Sequence, residues 1–357
     1  MSGIVSFGIY ISFFGISTAC LCYRSREKKF NAINIIGIVI VVLFAAMRYN
    51  VGTDFMQYSK NFLRYYNMPW SRIIFELNDG WGLAASIKVL YGIGGRTLSF
   101  GYCAFLTFFP VYFYLRNEWD NTKLAIPILW FLSTAFIQSF NLTSQYIAIG
   151  ITFYGLKYVY ENKFLRYVLI VFIAFLFHKS ALLATAIYFM WDHKKNTAVS
   201  GSKSFLIVTI TLVLVLFYHE LMLYLSQNYS IFGDYSYFVN VEEMRNRDFY
   251  LNAFQLVFIL SFYRKLVELD EKNRLLVLSL IVAVIIGLTG FTHPQFKRSA
   301  FYFSVPATTI LIGQVSNFSI QTGRKRISNT VLSIGYTLFR FILVYYIIDS
   351  LHYAIEL

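Results

Sequence analysis

Charge is scarce in this chain, and acidic charge scarcer still. Charged residues fill 14% of the 357 positions, with 18 Asp and Glu against 31 Lys and Arg. A soluble domain carries roughly 25% charged residues, so a soluble globular enzyme is excluded at the outset. Cysteine is nearly absent: Cys20, Cys22 and Cys103 all lie in apolar stretches and build no disulfide or zinc framework. Five prolines and no low-complexity run argue against disordered linkers. No Asp-x-Asp pair is present to hold a divalent ion on a diphosphate, and no His/Cys ligand spacing occurs, so the residues call for no metal and no cofactor.

What remains is apolar. The chain is 57% hydrophobic and 20% aromatic, with a mean hydropathy of +0.57. The net charge of +13 fits cationic cytoplasmic loops of a membrane protein and gives no reason to expect a nucleic-acid partner. The fold class expected is all-α: one polytopic integral membrane domain over 1–357, with about 10–12 transmembrane or re-entrant helices of roughly 17–25 residues each.

Uncharged runs mark spans at Met1–Tyr23, Phe30–Met47, Thr97–Leu115, Leu275–Thr292 and Ser299–Gly323, and further candidates are Phe205–Tyr224, Phe249–Tyr263 and Asn329–Leu351. Leu124–Leu156 would extend about 50 Å as one helix, so it is split near Ser139–Asn141. No Lys or Arg precedes the first run, which argues against a cleaved signal peptide. Arg24, Arg26, Lys28 and Lys29 place the first loop inside, as do Lys194, Lys195 and Lys203 for 192–203, and Arg324, Lys325 and Arg326 for 316–328. These loops agree if Tyr167–Trp191 is a re-entrant or steeply tilted pair with His178 near its turn and Trp81–Ile93 is a surface or re-entrant helix. They agree equally if Trp81–Ile93 is a short span and Tyr167–Trp191 one long helix. Both versions put 48–80, with an interfacial helix, and a loop at about 225–250 on the outer face, together with His293–Arg298.

Polar residues on that face carry the candidate chemistry. In Arg48-Tyr49-Asn50-Val51-Gly52-Thr53-Asp54, Gly52 permits a sharp turn. Asp54 with Gln57 three residues on predicts a capping box. The helix it starts, 55–66, places Phe55, Tyr58, Phe62 and Tyr65 on one face and Lys60 and Arg64 towards the other, which predicts an interfacial helix with its apolar side down in the lipid. Either Asp54 is a plain N-cap and Arg48 snorkels to the headgroups, or Arg48 and the helix N-terminus together form an anion site. Glu242-Glu243 reads as a solvated pair.

Arg48-Tyr-x-Val-Gly-Thr-Asp54-x-x-x-Tyr58, Gln145-x-x-Ala148, Phe177-His178-Lys179-Ser180-Ala181-Leu182 and Arg298-x-x-x-Tyr302-Phe303 stand in that order along the chain. In order and spacing they resemble EpsG-like membrane proteins, a branch of the Wzy-type polysaccharide polymerases. The resemblance implies a GT-C-like helical architecture in the bacterial cytoplasmic (inner) membrane, with its active face periplasmic or extracellular. It implies a metal-independent glycosyltransferase that joins undecaprenyl-diphosphate-linked oligosaccharide units, donor to acceptor, during synthesis of O-antigen, lipopolysaccharide or exopolysaccharide. A separate chain-length co-polymerase partner is implied as well. The departing diphosphate would be matched by Arg48 and Arg298, with Gly52, Tyr58, Gln145 and Tyr302 in support.

One position departs from the family pattern: Ser144 stands where Arg precedes the Gln. Another cation is then required, and Arg340, near the middle of the last apolar run, is the candidate. Its alternative is a salt bridge with Asp54, Asp234 or Glu220. Asp54 and His178 compete as the base. Beside Arg48, Asp54 stays ionised but is the weaker base, whereas histidine titrates near neutrality. The alternative for His178 is a buried neutral side chain between helices. Two other functions fit the same inventory, a lipid-linked oligosaccharide flippase and a membrane acyltransferase using His178. Transporters often carry internal repeats, and Arg48-x-x-x-Gly-x-Asp has no counterpart in the second half.

Overall fold

The computed structural model describes residues 3–23, 30–75, 77, 80–119, 121–228, 247–291, 296–322 and 325–347. The expected cationic residues 24–29 and Arg324, most of the 225–250 loop with Asp234 and Glu242-Glu243, and His293 lie outside them. The chain is an all-α polytopic membrane protein, and its described residues are mostly helical. Among the described residues, three helical runs, Val5–Cys22, Trp81–Glu118 and Lys272–Phe291, are long and apolar enough to cross a bilayer, and five shorter apolar helices accompany them. Two compact units emerge, one formed by 1–157, 168–182 and 312–357, the other by 158–167 and 183–311.

The first unit opens with a helical hairpin, α1 (Gly3–Cys22) and α2 (Ala32–Ala46). A single buried amide closes it. Asn34 exchanges a capping box with Asn31, and its Nδ2 donates to the carbonyls of Cys20, Leu21 and Tyr23 at 3.0–3.1 Å. Two of the last carbonyls of α1, which have no partner within the helix, are thereby satisfied, together with that of Tyr23 just beyond it. Higher up, Phe13 stacks on Phe44 with centroids 3.7 Å apart.

Next come α3 (Phe55–Asn67), α4 (Trp70–Phe75) and α5 (Trp81–Glu118). The apolar face of α3 is as expected: Phe55 and Phe62 are buried while Lys60 and Arg64 are exposed. What covers that face corrects the lipid-facing expectation. Phe55 and Phe62 both pack on Phe100 of α5, at 5.1 and 5.0 Å. Rings that find a protein partner need no lipid to leave water. Lys88 holds the other end of α3, donating from Nζ to the carbonyls of Tyr66 (2.9 Å) and Met68 (2.6 Å), where a cation also suits the helix C-terminus.

Helix α5 breaks at Gly94 and Gly95, the second at φ 59°, ψ −149°, a region open essentially to glycine alone. The expected Trp81–Ile93 and Thr97–Leu115 segments thus become two helical pieces joined at this break. Leu124–Leu156 divides as expected. Helix α6 (Asn121–Phe131) runs through a π-turn, Leu132–Phe136, and a turn at 139–142 precedes α7 (Thr143–Tyr160). The final helix, Asn329–Ile347, follows a hairpin that pairs Ser319–Thr322 with Lys325–Ser328.

Helix α8 (Phe164–Phe177) ends at His178 and gives way to a 3-10 turn, Lys179–Ala184, and one short turn, Thr185–Tyr188. One long helix across 167–191 is thereby excluded. In the second unit, a minimal hairpin pairs Trp191–Asp192 with Thr197–Ala198. The expected 205–224 span is broken at Phe217, between helices Gly201–Leu216 and Tyr218–Asn228. The central helix there is Lys272–Gly287, its Leu275–Leu280 stretch buried throughout. Ser279 reaches Met190 Sδ at 3.5 Å and Asn273 Nδ2 donates to Leu266 O at 2.7 Å. Its polar groups therefore make specific contacts instead of facing lipid.

Candidate functional site

Arg48 follows α2 directly and is buried, 4% exposed. Its guanidinium lies between two rings, 3.9 Å from the Phe140 centroid and 4.5 Å from that of Phe100. Phe100 comes from α5 and Phe140 from the turn before α7, so three separate segments build the cage. Cation–ring contacts of this kind strengthen as water is excluded. The snorkelling alternative fails for this side chain, because its charge points into the protein.

The loop after Arg48 folds back on the same turn. Asn50 (φ 52°) and Gly52 (φ 95°) take left-handed conformations. A Cβ on Gly52 would run into Asn141 Oδ1 and stand 3.4 Å from Phe140 Cβ, so only glycine combines that angle with that closeness. Asn141 Oδ1 is buried there and accepts no hydrogen bond from the described residues.

Asp54 overturns the capping-box expectation. Its φ, ψ of −100°, 7° make no side-chain cap bond to α3. The carboxylate accepts from Thr53 Oγ1 at 3.1 Å instead, and Gln57 donates to Asn61 at 3.3 Å. An N-cap reaches the following amides from an extended conformation, which Asp54 does not adopt. Its carboxylate is half-buried and close enough to act on Tyr58.

Tyr58 joins the loop to α7. Its hydroxyl accepts from the Thr143 amide at 3.0 Å and hydrogen-bonds the Ser144 side chain. Burial first, and the Asp54 carboxylate second, push the Tyr58 hydroxyl up to about 12. Ser144 therefore serves as a partner of Tyr58. Gln145, next along α7, is buried.

Arg340 and His178 stand away from the Arg48 cage. Arg340 is buried in the last helix, 5.1 Å over Trp130, which itself stacks on Tyr336 at 5.4 Å. Trp130 and Phe140 are ten residues apart on α6 and its continuation, about 15 Å by helical rise, so Arg340 is not in the Arg48 cage. His178 lies beside the start of α5: Phe175 packs on Trp81 at 6.2 Å, and a Cβ on Gly82 would touch Leu176 O at 3.1 Å. Some 20 Å of helix separate Trp81 from the α5 break. Arg298 belongs to the second unit, half-buried in a 3-10 turn (Phe296–Ala300) that leads to buried Tyr302.

One cation escaped the sequence reading. Arg96 follows the glycine break and lies 5.4 Å over Phe55 and 5.5 Å over Tyr49. The Gly94-Gly95 pair just before it was the available signal.

The EpsG family model matches residues 31–355. The chain belongs to the EpsG family. This is a family of Wzy-like polymerases and exopolysaccharide biosynthesis proteins, which puts the chain in polysaccharide biosynthesis at a membrane. No curated protein and no solved structure gives a match. The matched span includes Arg48, whose guanidinium lies between two rings.

Proposed function

We propose that this EpsG-family protein is a repeat-unit polymerase at the outer face of the bacterial cytoplasmic membrane. It moves a growing glycan from one polyprenyl diphosphate to a sugar hydroxyl of the next lipid-linked unit. The observation that carries this reading is the buried Arg48 guanidinium held between Phe100 and Phe140, six residues before Asp54 in the same loop. A fixed, desolvated cation suits a leaving group that gains negative charge in the transition state, because no solvent has to reorganise around it. The permanently charged guanidinium fork matches phosphate oxygens.

In this reading Arg48 binds the diphosphate of the donor. The acceptor hydroxyl attacks the anomeric carbon, the bond to the diphosphate oxygen breaks with its electron pair leaving on phosphate, and the hydroxyl proton passes to Asp54. Asp54 is preferred to His178 because it lies in the Arg48 loop, whereas His178 stands at the far end of the first piece of α5. Arg298 is assigned diphosphate binding on its motif, and Arg340 keeps a supporting electrostatic part.

Reconstitution tests the reading. Wild-type protein in liposomes, given a lipid-diphosphate-linked repeat unit, is expected to release free carrier diphosphate and build a glycan ladder. Arg48→Ala and Arg298→Ala are each expected to insert normally and build none. A deletion strain should leave single-repeat glycan on the outside. Repeat units trapped inside would instead identify a flippase.

A further inference from the structure

Two guanidinium groups flank one pair of stacked rings. Phe55 and Phe100 stack with centroids 5.1 Å apart and planes 15° from parallel. Arg48 lies 4.5 Å over Phe100 and Arg96 5.4 Å over Phe55. Each guanidinium thus has its own ring of the pair, and each has a second ring of its own, Phe140 for Arg48 and Tyr49 for Arg96.

Their surroundings differ as well. Arg48 is buried, whereas Arg96 is half-buried and Tyr49 beneath it is 40% exposed. Backbone geometry sets Arg96 there. The glycine-only conformation of Gly95 turns the chain, and Ser99 Oγ donates to Gly95 O at 2.8 Å, bracing the first turn after the break. Two cations placed this close repel each other, and an anion bound at each offsets that cost.

We propose that Arg96, with the Tyr49 ring beside it, forms a second anion subsite that binds the diphosphate of the acceptor carrier. The inference rests on the polymerase reading above, in which two carrier-linked units must meet and only one diphosphate departs. No bond to the acceptor's diphosphate forms or breaks. Arg96 therefore contributes binding and orientation, and the exposed Tyr49 ring offers a face to the sugar next to the phosphate.

A single-transfer assay in liposomes tests this with one donor and two acceptors. One acceptor is the repeat unit on lipid diphosphate, the other the same oligosaccharide as a plain alkyl glycoside. Wild type is expected to favour the diphosphate acceptor. Arg96→Ala is expected to erase that preference by raising its KM about 10-fold or more, the worth of a charge-assisted contact. Arg96→Lys, which keeps the charge without the fork, should lose part of the preference. Equal loss on both acceptors in both variants, or an unchanged preference, overturns the second subsite while leaving the polymerase reading intact. Wild type that transfers to neither acceptor overturns the polymerase reading itself.

Discussion

The hydroxyl of Tyr58 accepts a hydrogen bond from the backbone amide of Thr143, 3.0 Å away and 85 residues later in the chain. That contact ties the amphipathic α3 to the first turn of α7, where helix amides have no partner of their own. It also fixes the Asp54 loop against the turn that supplies Phe140 to Arg48.

Replacing Tyr58 by Phe keeps the ring and deletes the acceptor. The expected cost is about 1–3 kcal/mol, the penalty for an amide left unsatisfied, read as a lower unfolding temperature in detergent. The same hydroxyl predicts an alkaline limb. Its folded value of about 12, above the ordinary 10.0, means that the unfolded chain releases the proton first. Stability is complete below pH 10, falls as pH rises from 10 to 12, and levels beyond. In Tyr58→Phe that part of the fall should vanish.

Asp54 makes no cap bond to α3, so its loss should not unwind the helix. Asp54→Asn and Asp54→Ala are both expected to change stability by less than about 0.5 kcal/mol while stopping chain extension. An Asp54→Asn protein that builds normal ladders would remove the carboxylate from the chemistry.

At Gly52 two costs coincide, the left-handed φ and the collision with Asn141. Gly52→Ala should destabilise by about 1–3 kcal/mol from overpacking alone. Adding Asn141→Ala should recover the packing part and leave the backbone part. If the double variant is no better than the single one, the Asn141 contact is not what constrains the loop.

Orientation is checked by single cysteines in a background without Cys20, Cys22 and Cys103. Lys60→Cys, exposed on α3, is expected to react with an impermeant maleimide from outside. Lys203→Cys, exposed at the start of helix Gly201–Leu216, should react only after permeabilisation. The reverse pattern would place the Arg48 loop on the cytoplasmic side.

The helices were legible because hydropathy and helix length are local properties. The division of 124–156 and the apolar face of α3 follow from residue type and spacing, whereas the loops agreed equally with one helix across 167–191 and only the structure showed the interruption at His178. The failures were those of partnership. Asp54 three residues before Gln57 satisfies the spacing of a capping box, but φ and ψ at Asp54 follow from the left-handed turns at Asn50 and Gly52, which spacing does not encode. Likewise the rings of α3 had to leave water, and only contact with Phe100 showed that protein covers them.

Composition was enough to exclude a soluble enzyme, and four ordered motifs were enough to reach the family, since both are written along the chain. The roles of its arginines were another matter. Arg48, Arg96, Arg298 and Arg340 carry the same charge and differ in what surrounds it: the Phe100 and Phe140 cage, the Phe55 and Tyr49 faces, a 3-10 turn, the Trp130 ring. Most of those surroundings come from segments remote in sequence, and the electrostatic strength of a cation depends on the medium it is packed in. Folding creates that medium, so the tertiary structure alone separates these otherwise identical side chains.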